Sequence, residues 1–133
     1  MNSTILKLAL LVVCGIGLVG CYGGNVGQVE GRVLIDGEPQ GGFEVNFSSV
    51  ADGSGAIGTS MQDGVYRLRR GRGKNEIPVG EYKVTVKPSP FADGIPLPKV
   101  SLPKVYTETN QAVLVMKVEP GYNEIDLAID TTK

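Results

Sequence analysis

The chain has 133 residues and a formal net charge of −1, with 19 glycines, two cysteines, no histidine and no tryptophan. That length suits one domain with a single core. A near-neutral balance excludes the strongly basic surface that nucleic-acid binding asks for. Without histidine there is no Ser-His-Asp or Cys-His nucleophile and no usual zinc site.

Leu8 to Gly20 carries no charge, and only Lys7 precedes it as a charged residue. The stretch is shorter than the roughly 20 apolar residues a bilayer-crossing helix needs. A short apolar core behind a positive residue, ending in small residues, is the signal-peptide pattern. The alternative is an uncleaved N-terminal membrane anchor. The run closes Leu18-Val19-Gly20-Cys21, a thiol directly after small residues, which is the form of a bacterial lipoprotein signal. In that chemistry the thiol takes a diacylglycerol and a peptidase cuts between Gly20 and Cys21. The sequence therefore predicts a signal-peptide helix over Met1 to Gly20 and lipidation at Cys21. Cys14 leaves with the signal, so no thiol remains for a disulfide, and the exported domain must rely on its core.

Cys21 to Gly27 reads as a flexible tether, reaching about 20 Å when extended. The rest, Gln28 to Lys133, reads as one domain. Val29, Val33 and Ile35 alternate with Glu30, Arg32 and Asp36, and Gly31 falls on the apolar parity. Asp36-Gly37-Glu38-Pro39 is a turn. Phe43, Val45 and Phe47 alternate with Glu44, Asn46 and Ser48. Asp63-Gly64 leads into a segment with Tyr66 and Leu68 on one face and arginines on the other. Tyr82, Val84 and Val86 alternate with Lys83, Thr85 and Lys87 until Pro88 ends the strand. Such alternation marks strands with one buried face. Pro88 to Lys104 holds five of the eight prolines and predicts an irregular loop. Ala112 to Val118, nearly all apolar, predicts a strand buried on both faces or central in a sheet. Glu119 to Asn123 reads as a hairpin turn before Ile125, Leu127 and Ile129. No segment keeps a helical period. The expectation is all-β: a single Ig-like or transthyretin-like sandwich of about seven antiparallel strands.

The ordered set Gly31-Arg32-Val33-Leu34-Ile35-Asp36-Gly37-Glu38-Pro39, Phe43 to Phe47, Asp63-Gly64-Val65-Tyr66, Pro78 to Val86, Leu102-Pro103-Lys104-Val105-Tyr106 and Val118 to Leu127 resembles a bacterial family. Its members are the short lipoproteins, common in planctomycetes, with one carboxypeptidase-regulatory-like, transthyretin-like β-sandwich. The likeness runs over nearly all of the chain after Cys21. Gln62 departs from the Thr-Asp-x-x-Gly run the family often shows before this turn. The resemblance implies a small domain for binding or assembly and brings no catalytic residues. The transthyretin fold also hosts a purine-pathway hydrolase that uses histidines and a C-terminal tetrapeptide; a histidine-free chain ending Asp130-Thr131-Thr132-Lys133 does not match it.

Little chemistry is left. The four Asp-Gly pairs are spread over separate links and serve turns, not a dense calcium loop. Glu30, Glu44, Asp126 and Asp130 fall on exposed strand faces, and their spacing pairs none of them in a cleft. No metal and no cofactor is expected, and the chain is not expected to be an enzyme. Arg67, Arg69, Arg70, Arg72 and Lys74 crowd into one stretch and are the candidate anion-binding residues, either a solvated hairpin or a grip on envelope glycan or lipid phosphate. For sugar stacking, Phe91 and Tyr122 are the aromatics placed to be exposed. The reading is a cell-envelope lipoprotein, membrane-held through Cys21 and facing the periplasm or exterior. Tyr22 is not the Asp that retains some lipoproteins, which favours the outer membrane. Its domain is non-catalytic, with a structural or protein-interaction role; the alternative is a binding module for envelope glycan or another anionic polymer.

Overall fold

A computed structural model describes residues 24–90, 92 and 94–132. The signal peptide, the Gly20–Cys21 junction, Tyr22 and Phe91 lie outside the described residues. The chain forms β1 (Val26–Ile35), β2 (Glu38–Pro39), β3 (Phe43–Ser49), β4 (Gly55–Thr59), β5 (Val65–Arg67), β6 (Ile77–Pro78) and β7 (Gly80–Pro88). A one-turn helix α1 (Lys104–Thr107) and a 3-10 turn (Thr109–Gln111) follow, then β8 (Leu114–Val118), β9 (Gly121–Glu124) and β10 (Leu127–Ile129).

Two sheets face each other. In the first, β1 is the spine: β6, β5 and β2 pair antiparallel along one side, and β9 and β10 pair parallel along the other. The second is antiparallel in the order β4-β3-β7-β8. The all-β sandwich read from the alternation is what forms. Its strands number ten rather than about seven, because β2 and β9 form where the sequence reads turns and β4 and β6 form in stretches where it names no strand. The parallel pairing of β1 with β9 and β10 departs from the expected antiparallel sheet.

Inward-facing residues follow the period of two. Val29, Val33 and Ile35 of β1, Phe43, Val45 and Phe47 of β3, and Tyr82, Val84 and Val86 of β7 are all buried. Burying a large apolar side chain contributes about 1.5–3 kcal/mol, so these rows hold the sheets together. Phe47 joins the layers, its ring 6.4 Å from Tyr66 and 5.9 Å from Tyr82. The β1–β2 connection is a two-residue hairpin with Asp36 at φ 51° and Gly37 at φ 88°, the positive pair that suits a twisted hairpin.

Three expectations are corrected. β1 begins at Val26, which pairs with Pro78, and Gly27 pairs with Ile77 and Gly121, so the end of the supposed tether is strand. β8 is an edge strand with its outer face in solvent: Val115 is 52% exposed, and Val113 just before the strand is 59% exposed. An apolar run names a strand but not its neighbours, and one face of β8 has no layer over it. Glu119–Asn123 is no hairpin, because β8 and β9 lie in different sheets and Glu119-Pro120 carries the chain across between them.

At the middle of β1 the parallel ladder is rearranged. Ile125 N–H donates to Glu30 O at 2.9 Å, but Arg32 N–H donates to Asp126 Oδ1 at 2.9 Å. Ile125 O instead accepts the Tyr66 hydroxyl at 2.6 Å. Gly31 permits this: it stands opposite Tyr66 in register, and a Cβ on it would lie 1.8 Å from Ile125 O. Burial pushes the Tyr66 hydroxyl far above its ordinary value, and the charge of Asp126 adds to the effect.

Candidate binding face

The five basic residues of the candidate anion patch go to three places. Arg67 lies on the outer face of β5, opposite Glu30 in register, and its guanidinium is 3.3 Å from Glu30 Oε1. Arg69 is tied through its backbone to Ile57 of β4, with bonds of 3.0 and 2.9 Å. Its side chain, with that of Arg67, borders a groove of about 380 Å³ that also holds Ile57, Met61 and Asp63. Arg70 and Lys74 close a hairpin, Arg70 N–H donating to Lys74 O at 2.8 Å. Arg72 sits at its tip between Gly71 and Gly73, both at positive φ. No single patch gathers all five.

The sequence alone puts Tyr122 in a hairpin turn. It lies within β9, opposite Gln28 in the parallel ladder, on the outer face of the first sheet and 64% exposed. Its hydroxyl donates to Glu30 Oε2 at 3.4 Å. Glu30 therefore holds Tyr122 on one side and Arg67 on the other. The arginine run and the exposed aromatic, far apart in sequence, meet across β1.

Gln28 stands at the centre of this face. It lines a cleft of about 200 Å³ with Glu30, Arg67, Asn75 and Tyr122. A second of about 330 Å³ adds Val26, Glu76 and Pro120. A third of about 460 Å³ runs to Arg70 and Lys74. Three shallow clefts sharing one glutamine make an open, extended surface. The groups around the Tyr122 ring are an amide, a carboxylate and a guanidinium, planar donors and acceptors. Their charges do not favour an anion: Arg67 is offset by Glu30, and Glu124 adds a second negative charge near the ring. Partial loss of water around its hydroxyl, with the negative charges of Glu30 and Glu124, raises the Tyr122 pKa. The field there does not select an anion.

Gln28 and Asn75 were not candidates in the sequence. The polar parity of β1 marks Gln28 as outward-facing, but its place beside Tyr122 depends on pairing between residues 94 positions apart. Among the described residues, no group of acidic, histidine or cysteine side chains is arranged to hold a metal ion.

No protein-family model matches this chain, and no curated protein matches it. Among solved structures it is similar to a DUF3823 family protein from Parabacteroides merdae, with 13% identity and a TM-score of 0.46 over 80% of this chain; the match spans about half, 47%, of that protein. It is also similar to the dioxygenase domain of a dioxygenase carbohydrate-binding protein fusion from Streptomyces sp. SirexAA-E, with 18% identity and a TM-score of 0.41, over 83% of this chain and 82% of that one. Likenesses this shallow carry no functional assignment. The chain is a small β-sandwich domain.

Proposed function

We propose that this chain is a non-catalytic, lipid-anchored binding domain of a bacterial cell envelope, and that its ligand is an envelope glycan laid across the outer face of the first sheet. The observation that carries the ligand is Tyr122, an exposed ring on the outer face of β9, framed by Gln28, Glu30, Asn75 and Arg67. A flat ring offers an apolar face to the C–H face of a sugar, and planar polar groups at its rim meet hydroxyls. The open run of clefts suits a polymer better than a small molecule, which takes an enclosed pocket. The anchor is supported by Leu18-Val19-Gly20-Cys21 behind a short apolar core, and the non-catalytic role by the lack of histidine.

Two measurements test this. Titration with polysaccharides from the producing envelope should give saturable binding that Tyr122→Ala weakens at least about tenfold, the scale of an aromatic hot spot, with the melting transition unchanged. Equal binding by wild type and Tyr122→Ala removes the glycan face. Metabolic labelling with a fatty acid should tag the wild type and not Cys21→Ser; an untagged wild type removes the anchor.

One observation favours a second reading, a protein partner that adds a strand along β8. That strand is a sheet edge, with Val115 exposed on its outer face and Val113 exposed just before it. Crosslinking in intact cells from Val115→Cys would then capture one partner reproducibly.

A further inference from the structure

The chain enters the sandwich at one end, and other segments gather there. Val26 opens β1 against Pro78, and Val79 N–H donates to Asn25 O at 2.9 Å. Val50 N–H donates to Glu81 O at 3.0 Å, which brings the β3–β4 turn alongside. The Arg70–Lys74 hairpin borders the same end, since Arg70 and Lys74 line a cleft with Val26. This end therefore exposes Val26, Val50 and Val79 next to Arg70, Arg72 and Lys74. Asp52 faces Arg70 and Glu76 shares the cleft. Arg72 at the tip makes no ion pair among the described residues.

Exposed apolar side chains beside long, flexible cations are what an interfacial surface presents. The apolar groups enter the boundary between headgroups and acyl chains, and the cations meet phosphates. Cys21 stands five residues before Val26, no more than about 18 Å of extended chain. A lipid on Cys21 would hold this end, and no other, at the bilayer.

We propose that this end of the sandwich seats on the anionic phospholipid headgroups of the leaflet that holds the lipid, through Val26, Val50 and Val79 and the Arg70–Lys74 hairpin. The proposal rests on the lipid reading of Cys21. A lipid alone tethers a domain without orienting it. The seat adds orientation, with the outer face of the first sheet standing as a side wall next to the membrane.

The chain has no tryptophan, so a single introduced one reports depth. Val50→Trp and Val79→Trp mark the seated end, and Met61→Trp marks the edge of the distant groove. Each full-length protein, matured in a bacterium, is reconstituted in phosphatidylglycerol vesicles with brominated acyl chains. Emission from Val50→Trp and Val79→Trp should be quenched and that from Met61→Trp should not. Adding Arg70→Glu, Arg72→Glu and Lys74→Glu together should drop quenching to the Met61→Trp level, as should vesicles of phosphatidylcholine alone. Equal emission from all three reporters overturns the seat, as does quenching that charge reversal leaves unchanged. Fatty-acid label is read on the same samples. Labelled but unquenched protein overturns the seat and leaves the anchor standing; unlabelled protein overturns the anchor itself.

Discussion

The two long edges of the sandwich are held by different chemistry. At the β4–β5 edge the sheets are stitched by backbone. Ile57 and Arg69 exchange hydrogen bonds of 3.0 and 2.9 Å, and Met61 N–H donates to Val65 O at 2.9 Å. At the β8–β9 edge the chain crosses between sheets, and one side chain clasps the crossing. Asn123 Oδ1 accepts the Glu119 N–H at 2.9 Å, while its Nδ2 donates to Gln28 O, Glu119 O and Gly121 O. A backbone stitch survives most substitutions, because every residue but proline carries the same groups. A side-chain clasp depends on one residue. Tyr66 belongs to the stitched side, yet its hydroxyl reaches over Gly31 to Ile125 O, coupling it to the clasped one.

The sharpest test of that coupling is Gly31→Ala. Its Cβ would lie 1.8 Å from Ile125 O, so the β1–β10 ladder must part, at an expected cost of more than about 4 kcal/mol by urea unfolding. Gly58→Ala at the stitched edge, with Cβ at 2.6 Å from Arg67 O, should cost less, about 1–3 kcal/mol. Equal losses would mean that the edges do not differ.

Asn123→Ala strips the clasp and leaves several backbone groups to water, an expected loss of about 2–3 kcal/mol. Ile57→Ala keeps its backbone bonds and should cost no more than about 1 kcal/mol. Reversal of that order in urea midpoints breaks the comparison.

Tyr66→Phe removes the link between the sides, leaves Ile125 O without its donor, and should cost about 1–2 kcal/mol near neutral pH. A second signature comes from titration. The Tyr66 hydroxyl is raised well above the ordinary tyrosine value of 10.0 in the fold. Its contribution is complete below pH 10.0 and is lost as the pH climbs above that toward the folded value, because the unfolded chain ionises first. Wild type should therefore lose stability above pH 10.0 more steeply than Tyr66→Phe.

The smallest effect is at Asp52. The Ser54 hydroxyl, then the Ser54 N–H, then Ser49 hold its carboxyl below the ordinary 3.8, with Arg70 assisting. A lowered carboxylate stabilises above its unfolded value and loses that as the pH falls through its folded one. Asp52→Asn should flatten a shallow acid slope below pH 3.8; an unchanged slope means that the turn is indifferent to its charge.

Much of the fold was legible. The alternation around Val29, Phe43, Tyr66 and Tyr82 named strands and their buried faces, since side chains of a strand alternate between faces whatever it pairs with. Asp36-Gly37 named its turn because positive φ at two successive residues suits few residue types. The same alternation is silent on neighbours. It could not place β8 at an edge, and it took a crossing between sheets for a hairpin, because Pro120-Gly121 marks a change of direction without saying which sheet receives the chain. Gly31 on the apolar parity was visible, but its meaning waited on Ile125.

The candidate face divides along the same line. Which residues are basic or aromatic, and that Arg67 points outward, belongs to the sequence, because charge and period-two parity are local properties; that Tyr122 stands on a strand and not in a turn does not. That Arg67, Glu30, Tyr122 and Gln28 share one surface, while Arg70, Arg72 and Lys74 stand at the end where the chain enters, was decided only by the tertiary structure. Parallel pairing of β1 with β9 fixes a register between segments 94 residues apart, and no local preference of either segment contains that register.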